Sequence, residues 1–468
     1  MMCNPAKILL SSVFFSFAFF AKAQTVQQKL TSAIQQLEKD SQFAHAIIGF
    51  YVADGKTDLP VFEKNSQAGL APASCQKVIT AASAFELLGK SYRYITKVYA
   101  DGPVRNETLA GGLFIEGQGD PTLGSWRYAS TKDNAFFRNL LRDLKAKGIK
   151  KMLNGVTVTP QTKNSIPSGW IWEDIGNYYG AGASRNNWHE NQYDMILEAG
   201  NAIGKPVKLL RTVPAETGLV FTNELTTAAK GTGDNAYIYQ GLNGAANLVS
   251  GTIPLGSAEF TISGAVADPN RFLWYEANLF LSKNDCIDIN AALTSSVFNA
   301  DSVRGTLLNT YVSPALDSIC YWFLKKSVNL YGEALVKTIA LEKGKRFDTE
   351  KGISLIRELW KTKGIDPASI RILDGSGLSP ANRVTTRALA NILLYAKKQD
   401  WYPAFYDALP EMNGIRMKDG YIGGVRSYTG YIKSKTGTEY CFSLIVNNFD
   451  GSPGAVREKL WKLLDILK

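Results

Sequence analysis

Histidine is nearly absent from this chain of 468 residues, which contains only His45 and His189. A multi-histidine metal centre is therefore excluded, and a Ser-His-Asp triad would have to use one of these two residues. Cysteine is also scarce, and five cysteines in this length do not form a disulfide-dense scaffold. No C-x-x-C pair is present, which excludes zinc-finger and thioredoxin-like chemistry. One or two disulfides remain open, and the sequence does not determine their pairing.

Charge of one sign is only slightly in excess. The chain has 52 lysines and arginines against 42 aspartates and glutamates, and no long basic run concentrates the difference. We therefore expect no nucleic-acid partner. Hydrophobic residues make up 45% of the chain and charged residues 20%, which excludes wholesale disorder and collagen-like repeats.

Long hydrophobic runs are missing, apart from a short one near the N-terminus. Residues 8–20 are apolar with interspersed serines, follow Lys7 and precede Ala21-Lys22-Ala23. This order predicts a secretory signal over residues 1–23, because the run is too short to cross about 30 Å of hydrocarbon. We expect a secreted, periplasmic protein with no membrane span after signal removal.

The predicted secondary structure of the rest of the chain changes in character twice. Residues 24–94 are predicted to contain helices at 27–40 and 74–88 and strands at 46–52 and 59–62. Residues 95–285 alternate short β-like runs with turn residues and have one clear helical pattern, at 135–147. After residue 285, helices are predicted at 318–343, 350–362 and 385–398, then a β region at 417–449 and a last amphipathic helix. The chain is therefore predicted to be α+β at both ends, 24–94 and 286–468, with a mostly β insertion at 95–285.

Ser74 and Lys77 form the first chemical motif. Their spacing places both side chains on one face of a helix, and a serine needs a base to become a nucleophile. With histidine scarce, Lys77 is the available base, provided that burial lowers its pKa enough to make it neutral near pH 7. The alternative is a plain N-cap serine beside a solvated lysine, because S-x-x-K occurs by chance in most long chains.

Ser327-Val328-Asn329 is a second candidate motif. Residues two positions apart do not face each other on a helix, so we place it in a turn between helices 318–326 and 330–343. The Ser74-x-x-Lys77 string resembles the nucleophile motif of penicillin-binding proteins and serine β-lactamases, whose second motif is S-x-N. The resemblance implies that the Ser327 hydroxyl relays a proton and that the Asn329 amide holds a substrate carbonyl. The alternative is an ordinary helix–helix connection with an N-cap.

Both motifs resemble those of penicillin-binding proteins and serine β-lactamases, whose third motif is K-T/S-G. The separation of about 250 residues between Lys77 and Ser327 is similar to that in class C low-molecular-mass D-alanyl-D-alanine carboxypeptidase/endopeptidases, peptidase family S13. Further segments resemble this family in the same order: 111–123 (GGLFIEGQGDPTL), 170–193 and 374–379 (DGSGLS). The resemblance implies a serine β-lactamase/transpeptidase-like domain, an antiparallel sheet flanked by helices, with a two-part, mostly β insertion between the first and second motifs.

Two strings compete for the third motif, 418–420 (KDG) and 435–437 (KTG). In the family the lysine lies on a strand that is followed by two more antiparallel strands and a C-terminal helix. Only the first string leaves room for both, at 425–433 and 439–449, with 434–438 as their hairpin turn. We therefore assign the motif to Lys418, Asp419 and Gly420, and keep Lys435 as the alternative lysine.

Asp419 departs from the family, which has Thr or Ser at this position to help hold the substrate's terminal carboxylate. An aspartate repels a carboxylate unless it is paired, and Lys418 and Arg426 are the candidate partners. The departure weakens the expectation of strict carboxypeptidase activity more than that of acylation. Gly420 retains the family's glycine, which lets a substrate backbone approach the strand closely.

The resemblance also implies a mechanism that needs no metal and no cofactor. Ser74 attacks the carbonyl between two D-alanines, Lys77 takes its proton, and Ser327 passes it to the leaving amine. The N–H groups of Ser74 and Tyr421 bind the oxyanion.

Asn329 positions the substrate and Lys418 supplies positive potential near its leaving end. The implied partners are peptidoglycan stem peptides, with β-lactams as covalent inhibitors.

Two other functions stay open. The same centre could serve a serine esterase or β-lactamase, or the chain could be a non-catalytic cell-wall-binding homologue. His45 and His189 are predicted to be structural, because the lysine scheme does not use them. The aromatic residues of the 170–193 segment are predicted to pack rather than to bind glycan: Trp170, Trp172, Tyr178 and Tyr179.

Overall fold

The computed structural model describes residues 24–160, 166–215, 219–241, 246–256, 258–294 and 305–468. The predicted signal, residues 1–23, lies outside the described residues. Within them, no helix combines the length and the apolar character needed to cross a bilayer. The cysteines of this part of the chain are all free and buried, so the disulfides left open by the sequence do not form among them: Cys75, Cys286, Cys320 and Cys441.

A six-stranded antiparallel sheet, built from both ends of the chain, forms the centre of the first unit. In spatial order its strands are Glu411–Met412, Ile415–Ile422, Val425–Lys433, Glu439–Asn447, Ile47–Asp54 and Pro60–Lys64. We call Ile415–Ile422 the edge strand. Its outer neighbour, Glu411–Met412, pairs only with Ile415 and Arg416. Beyond Arg416, the outer side of the edge strand has no strand partner among the described residues.

Helices cover both faces of this sheet. The rear face packs against Val26–Glu38 and Pro453–Leu464. The front layer consists of Lys77–Leu88, Leu316–Lys325, Asn329–Glu342, Thr349–Thr362, Thr386–Ala396 and Tyr402–Ala408. Lys77–Leu88 lies in the middle of that layer and is therefore buried from its first residue to Phe85. Each large apolar side chain buried there contributes about 1.5–3 kcal/mol relative to exposure.

The insertion builds a second unit with its own hydrophobic core. Its strands are Ile95–Ala100, Val104–Arg105, Thr108–Leu109, Leu113–Glu116, Lys151–Met152, Val156–Val158, Gln192–Glu198, Lys208–Val213, Val220–Asn223, Thr226–Ala228, Asn235–Gln240, Ala246–Pro254, Phe260–Ala265 and Thr306–Val312. Its helices are Ala135–Ala146, Trp172–Ile175, Pro269–Lys283 and Ile289–Leu293. The last strand, Thr306–Val312, pairs with the first, Ile95–Ala100. Two of these elements, Ile289–Leu293 and Thr306–Val312, follow residue 285, the predicted end of the insertion, and the exact division of the chain stays a prediction.

The fold class is α+β, as predicted, and most predicted elements lie within a few residues of the observed ones. The helix Pro269–Lys283 was missed because its apolar side chains are spread around the helix, which weakens the helical period. Its start is nevertheless well specified, since the Asp268 carboxylate accepts hydrogen bonds from the N–H groups of Asn270 and Arg271. A short two-stranded ribbon, Ile370–Arg371 with Arg383–Val384, completes the first unit.

Candidate active site

Ser74 lies on a short 3₁₀ turn, Ala73–Gln76, which we call the Ser74 turn. The sequence predicted a helix from Ser74, but the α-helix begins at Lys77. Ala73 adopts a left-handed conformation, with φ of 46°, which costs on the order of 1–3 kcal/mol for a residue other than glycine. Packing holds it there: a Cβ on Gly377 would lie 2.0 Å from the Ala73 carbonyl oxygen.

Lys77 connects the first two motifs. Its Nζ lies 2.8 Å from Ser74 Oγ and 2.7 Å from Asn329 Oδ1, and the carbonyl oxygen of Ser376 is also 2.7 Å away. The side chain is fully buried. Burial first, and then the charge of Lys418, lower the pKa of Lys77 to about 7. A substantial neutral fraction is therefore present at neutral pH, as a base requires.

The three contacts of Lys77 indicate how the protons are arranged. A neutral amine has two N–H donors and one lone pair. Asn329 Oδ1 and the Ser376 carbonyl can only accept, so the two N–H groups point to them. The lone pair is then left for the Ser74 hydroxyl, which can donate to it. This is the arrangement that proton removal from the serine needs.

Ser327 and Asn329 occupy the connection between helices Leu316–Lys325 and Asn329–Glu342, as predicted for this motif. Asn329 is the first residue of its helix, and its amide donates to the carbonyl of Tyr179 at 2.8 Å. Ser327 has a left-handed backbone, with φ of 57°. It lines the same cleft as Ser74, but no hydrogen bond joins its hydroxyl to Ser74, Lys77 or Lys418 in the described structure.

The edge strand brings Lys418, rather than Lys435, to the Ser74 turn. The Cys75 thiol donates to the Lys418 carbonyl at 3.1 Å, and a Cβ on Gly420 would lie 2.8 Å from the Ser74 nitrogen. Lys435 is exposed in the hairpin turn after the next strand, where its N–H donates to the Lys468 carbonyl.

Asp419 is paired, as its charge requires. The ammonium of Lys418 donates to the Asp419 carboxylate at 2.9 Å and to the Asp419 carbonyl at 2.8 Å. Burial alone would raise the pKa of Asp419, but the charge and hydrogen bond of Lys418, together with the charge of Arg426, lower it instead. The aspartate is therefore ionised at neutral pH.

Asp374 organises the floor of the site and was not among the predicted site residues. Its buried carboxylate accepts hydrogen bonds from three segments: the Gln76 amide, the Trp170 indole, and donors of its own loop, which are Gly377 N, Ser379 N and Asn382 Nδ2. The same loop presents the Ser376 carbonyl to Lys77. The D-G-S-G-L-S resemblance pointed to this segment, but only the tertiary structure shows what the aspartate contacts.

Glu333 and Lys337 form a second buried pair behind the site, one turn apart on helix Asn329–Glu342. Both oxygens of Glu333 accept from the N–H of Gly375, at 3.0 and 3.1 Å. Burial and the charge of Asp374 raise the pKa of Glu333, and burial lowers the pKa of Lys337. Glu333 thus binds the loop that carries Ser376 at Gly375, in addition to the hydrogen bonds of Asp374.

An open cleft of about 670 Å³ lies above these residues. Ser74, Ser327, Asn329 and Tyr421 line it together with residues of the insertion: Arg127, Ile171, Glu173, Asp174, Tyr178, Tyr179 and Tyr237. Both units therefore contribute to its walls. Burial and the neighbouring Glu173 raise the pKa of Asp174 to about 6.

The two histidines lie away from the site. Neither His45 nor His189 is among the residues that line the cleft. Trp170 is buried and bonded to Asp374, as the packing prediction requires. Trp172 and Tyr178 are 58% and 52% exposed, but each packs against another ring, Trp172 against Tyr239 and Tyr178 against Tyr179.

Comparison with known proteins gives a family match over most of the chain. The model of the D-Ala-D-Ala carboxypeptidase 3 (S13) family matches residues 29–411. This stretch contains Ser74, Lys77, Ser327 and Asn329, and it ends before Lys418.

Two relatives align over nearly the full length. A D-alanyl-D-alanine carboxypeptidase from Actinomadura sp. is 25% identical over 461 residues, which cover 92% of this chain and 84% of the relative. The D-alanyl-D-alanine carboxypeptidase DacB of Haemophilus influenzae is 24% identical over 468 residues, covering 94% and 91%.

The fold has a counterpart among crystal structures. That of penicillin binding protein 4 (dacB) from Haemophilus influenzae superposes with a TM-score of 0.77 at 20% identity, covering 93% of this chain and 97% of that one. The same protein complexed with a β-lactam gives a TM-score of 0.72 at 19% identity, covering 93% and 98%. The shared fold includes both units, since the coverage is nearly complete.

Proposed function

Since the chain belongs to the D-Ala-D-Ala carboxypeptidase 3 (S13) family, we propose that it is a serine-type D-Ala-D-Ala carboxypeptidase/endopeptidase that forms an acyl-enzyme on Ser74. The hydrolase class follows from the family. The roles of individual residues rest on the geometry of the cleft. The observation that carries them is the 2.8 Å separation between Lys77 Nζ and Ser74 Oγ beside an open cleft.

Acylation begins with the neutral form of Lys77. The amine takes the Ser74 proton as Oγ attacks the peptide carbonyl, so the serine does not have to ionise before the attack. The oxyanion lies between the N–H groups of Ser74 and Tyr421. The close approach of the edge strand at Gly420 supports this placement, because both donors must reach the same atom at about 2.7–3.1 Å.

Release of the leaving amine needs a proton. Ser327 lines the cleft together with Ser74, and it carries this proton from Lys77 to the leaving nitrogen. Its hydroxyl makes that contact once substrate is bound, since catalytic hydrogen bonds in unliganded enzymes are often long. Asn329 holds the substrate carbonyl, and Lys418 supplies positive potential near the leaving end. Water then hydrolyses the ester and frees Ser74.

The cellular setting completes the proposal. The predicted signal over residues 1–23 directs the chain out of the cytoplasm, to the periplasm. There the substrates are peptidoglycan stem peptides, and β-lactams acylate Ser74 as covalent inhibitors.

The direct test is covalent labelling with benzylpenicillin. The protein is incubated to end-point, and its intact mass is compared with that of Ser74→Ala. We expect one adduct on the wild-type chain, which peptide mapping locates at Ser74, and none on the variant. A wild-type chain without any adduct would contradict the acyl-enzyme scheme.

The two lysines of the competing third motifs supply a matched comparison. Lys418→Ala removes a buried ammonium beside the Ser74 turn, and we expect the acylation rate to fall about a hundredfold, by analogy with the loss of one strong electrostatic contact. Lys435→Ala changes an exposed hairpin residue and should leave the rate within twofold. The opposite ranking of the two variants would return the motif to residues 435–437.

The remaining functions differ in their products. A β-lactamase or esterase turns over nitrocefin or simple esters rapidly and releases no D-alanine from stem peptides. A non-catalytic wall-binding protein sediments with peptidoglycan, and Ser74→Ala does so equally well. D-alanine release by the wild-type chain, lost in Ser74→Ala, decides against both.

A further inference from the structure

The ammonium of Lys418 is covered by the next residue of the same strand, Asp419. Its side chain is 1% exposed, whereas that of Asp419 is 33% exposed. The carboxylate therefore covers the ammonium on the solvent side, through the 2.9 Å contact between Oδ1 and Nζ. An unpaired buried ammonium is strongly destabilising, so this ion pair is a stable feature of the resting site.

The ion pair lies on the edge strand, directly before Gly420. The outer side of the edge strand has no strand partner beyond Arg416 in the described part of the chain, so a peptide can align with it as an added strand. Gly420 faces Ser74, and Tyr421 lines the cleft on one side of this point. Lys418 and Asp419 lie on the other side, which the proposed function assigns to the leaving group.

One further cation, Arg426, lies close to this pair. It is on the neighbouring strand, where its Nε donates to the Tyr428 hydroxyl at 3.1 Å. Its guanidinium carbon lies 5.4 Å from the centre of the Tyr421 ring. The local charge thus comprises two cations and one carboxylate, and the carboxylate occupies the position directly against Lys418.

We propose that Asp419 determines the specificity of the enzyme for its leaving group. By taking the anion position beside Lys418, it disfavours leaving residues that carry a free carboxylate next to the scissile nitrogen. It favours stem-peptide amides whose leaving residue is uncharged there, either because the bond is made through a side-chain amine or because the α-carboxyl group is amidated. This inference rests on the proposed function and narrows its substrate class.

The chemical step is the same for both kinds of leaving group. The bond from Ser74 Oγ to the carbonyl carbon forms while the carbon–nitrogen bond breaks, and the serine proton passes through Lys77 and Ser327 to the leaving nitrogen. Water then cleaves the ester. Asp419 acts on the charge beside the departing amine, so its effect is read as the change that its substitution makes in the ratio of kcat/KM values for two substrates.

The test uses two peptides that differ only in that charge: diacetyl-L-Lys-D-Ala-D-Ala and the same peptide with a C-terminal carboxamide. Release of D-alanine or D-alaninamide is followed by mass spectrometry for the wild-type chain, Asp419→Asn and Asp419→Thr. We expect the wild-type chain to favour the carboxamide about tenfold or more, from like-charge repulsion at a partly exposed site. Asp419→Asn should remove this preference, and Asp419→Thr should reverse it.

Two results would overturn the inference and leave the proposed function standing. The first is a wild-type preference for the free carboxylate that Asp419→Thr does not change. The second is a free-carboxylate turnover that is lost in Arg426→Gln, which would show that Arg426 binds that group. Thermal unfolding checks each variant, and the nearly isosteric Asp419→Asn decides if Asp419→Thr does not fold.

Failure of the proposed function looks different. In that case neither peptide is cleaved by any of the chains, and benzylpenicillin forms no adduct with the wild-type chain. Turnover of either peptide therefore keeps the function, and the change in the ratio of the two rates between the wild-type chain and Asp419→Asn measures the effect of Asp419.

Discussion

At the scale of single residues, the site depends on removing one lysine from water. Lys77 is fully buried at the start of its helix, and its three hydrogen-bond partners leave it a free lone pair only when it is neutral. Asp374 and Glu333 attract the charged form, whereas burial and Lys418 favour the neutral form more strongly. The balance lowers the pKa of Lys77 to about 7, which the proposed role as base requires.

The pH dependence of acylation follows from that balance. Below about pH 7 Lys77 is protonated and cannot accept the Ser74 proton, and above it the amine is neutral. We expect the second-order rate constant for benzylpenicillin acylation to rise with pH, to reach half its plateau near pH 7, and to level off above pH 8. Stopped-flow fluorescence on the wild-type chain measures this, with Lys435→Ala as the control that keeps the profile. A rate that is constant from pH 5.5 to 8.5 would refute the assignment of Lys77 as the base.

At the scale of elements, the close contact between the edge strand and the Ser74 turn positions the catalytic groups. Gly420 permits this contact, because a Cβ there would lie 2.3 Å from Ser427 Oγ and 2.8 Å from both the Pro72 oxygen and the Ser74 nitrogen. Ser427 itself donates to the Pro72 carbonyl at 2.6 Å. Strand and turn are thus packed without room for a methyl group.

Substitution of Gly420 by alanine tests this contact. The added methyl group must push the edge strand away from the Ser74 turn, and a displacement of about 1 Å in a catalytic constellation lowers the rate about a hundredfold. We expect that loss in the acylation rate of Gly420→Ala, with the far-ultraviolet circular dichroism unchanged. Gly454→Ala is the matched control, since its nearest neighbour, Ser452 Oγ, is 3.6 Å from the added carbon. Acylation of Gly420→Ala at the wild-type rate would show that the two elements can separate without cost.

At the scale of the whole molecule, the insertion is joined to the first unit through the site itself. The Trp170 indole donates to Asp374 at 2.9 Å, and the Tyr179 carbonyl accepts from Asn329 at 2.8 Å. Deeper in the structure, the Lys337 ammonium donates to the carbonyl of Ala183 at 2.7 Å. The Trp170 contact thus joins the insertion to the loop whose Ser376 carbonyl accepts from Lys77.

The substitution Trp170→Phe measures this connection. It keeps an aromatic ring but leaves one Asp374 oxygen with a single donor, and loss of a hydrogen bond to a buried charge costs about 1.5–3 kcal/mol. We expect a lower midpoint of thermal unfolding together with slower acylation. Trp461→Phe is the control, because the Trp461 indole nitrogen has no hydrogen-bond partner among the described residues. Acylation that is unaffected by Trp170→Phe would limit the role of the insertion to substrate binding.

The parts of this structure that could be predicted are those that depend on local sequence patterns. The helices and strands of the first unit follow from apolar periodicity, and Ser74, Lys77, Ser327 and Asn329 follow from short strings with a defined chemistry. The start of the helix at Lys77 was missed, because the sequence pattern does not distinguish the 3₁₀ turn Ala73–Gln76 from the first turn of an α-helix. The exposure of Trp172 was missed because burial depends on which elements cover a residue.

The sequence by itself predicted the family, through the resemblance of its motifs, and it supplied the residues proposed as reacting groups, because hydroxyl, amine and amide chemistry belongs to residue types. Only the tertiary structure decided which of two lysines lies at the Ser74 turn, how far the pKa of Lys77 falls, and that Asp374 joins three segments beneath it. These properties depend on distances and on the exclusion of water between residues that are up to 344 positions apart in the chain. Such residues come into contact only when the chain folds. The pKa of Lys77 therefore depends on burial and on neighbouring charges that the tertiary structure places around it.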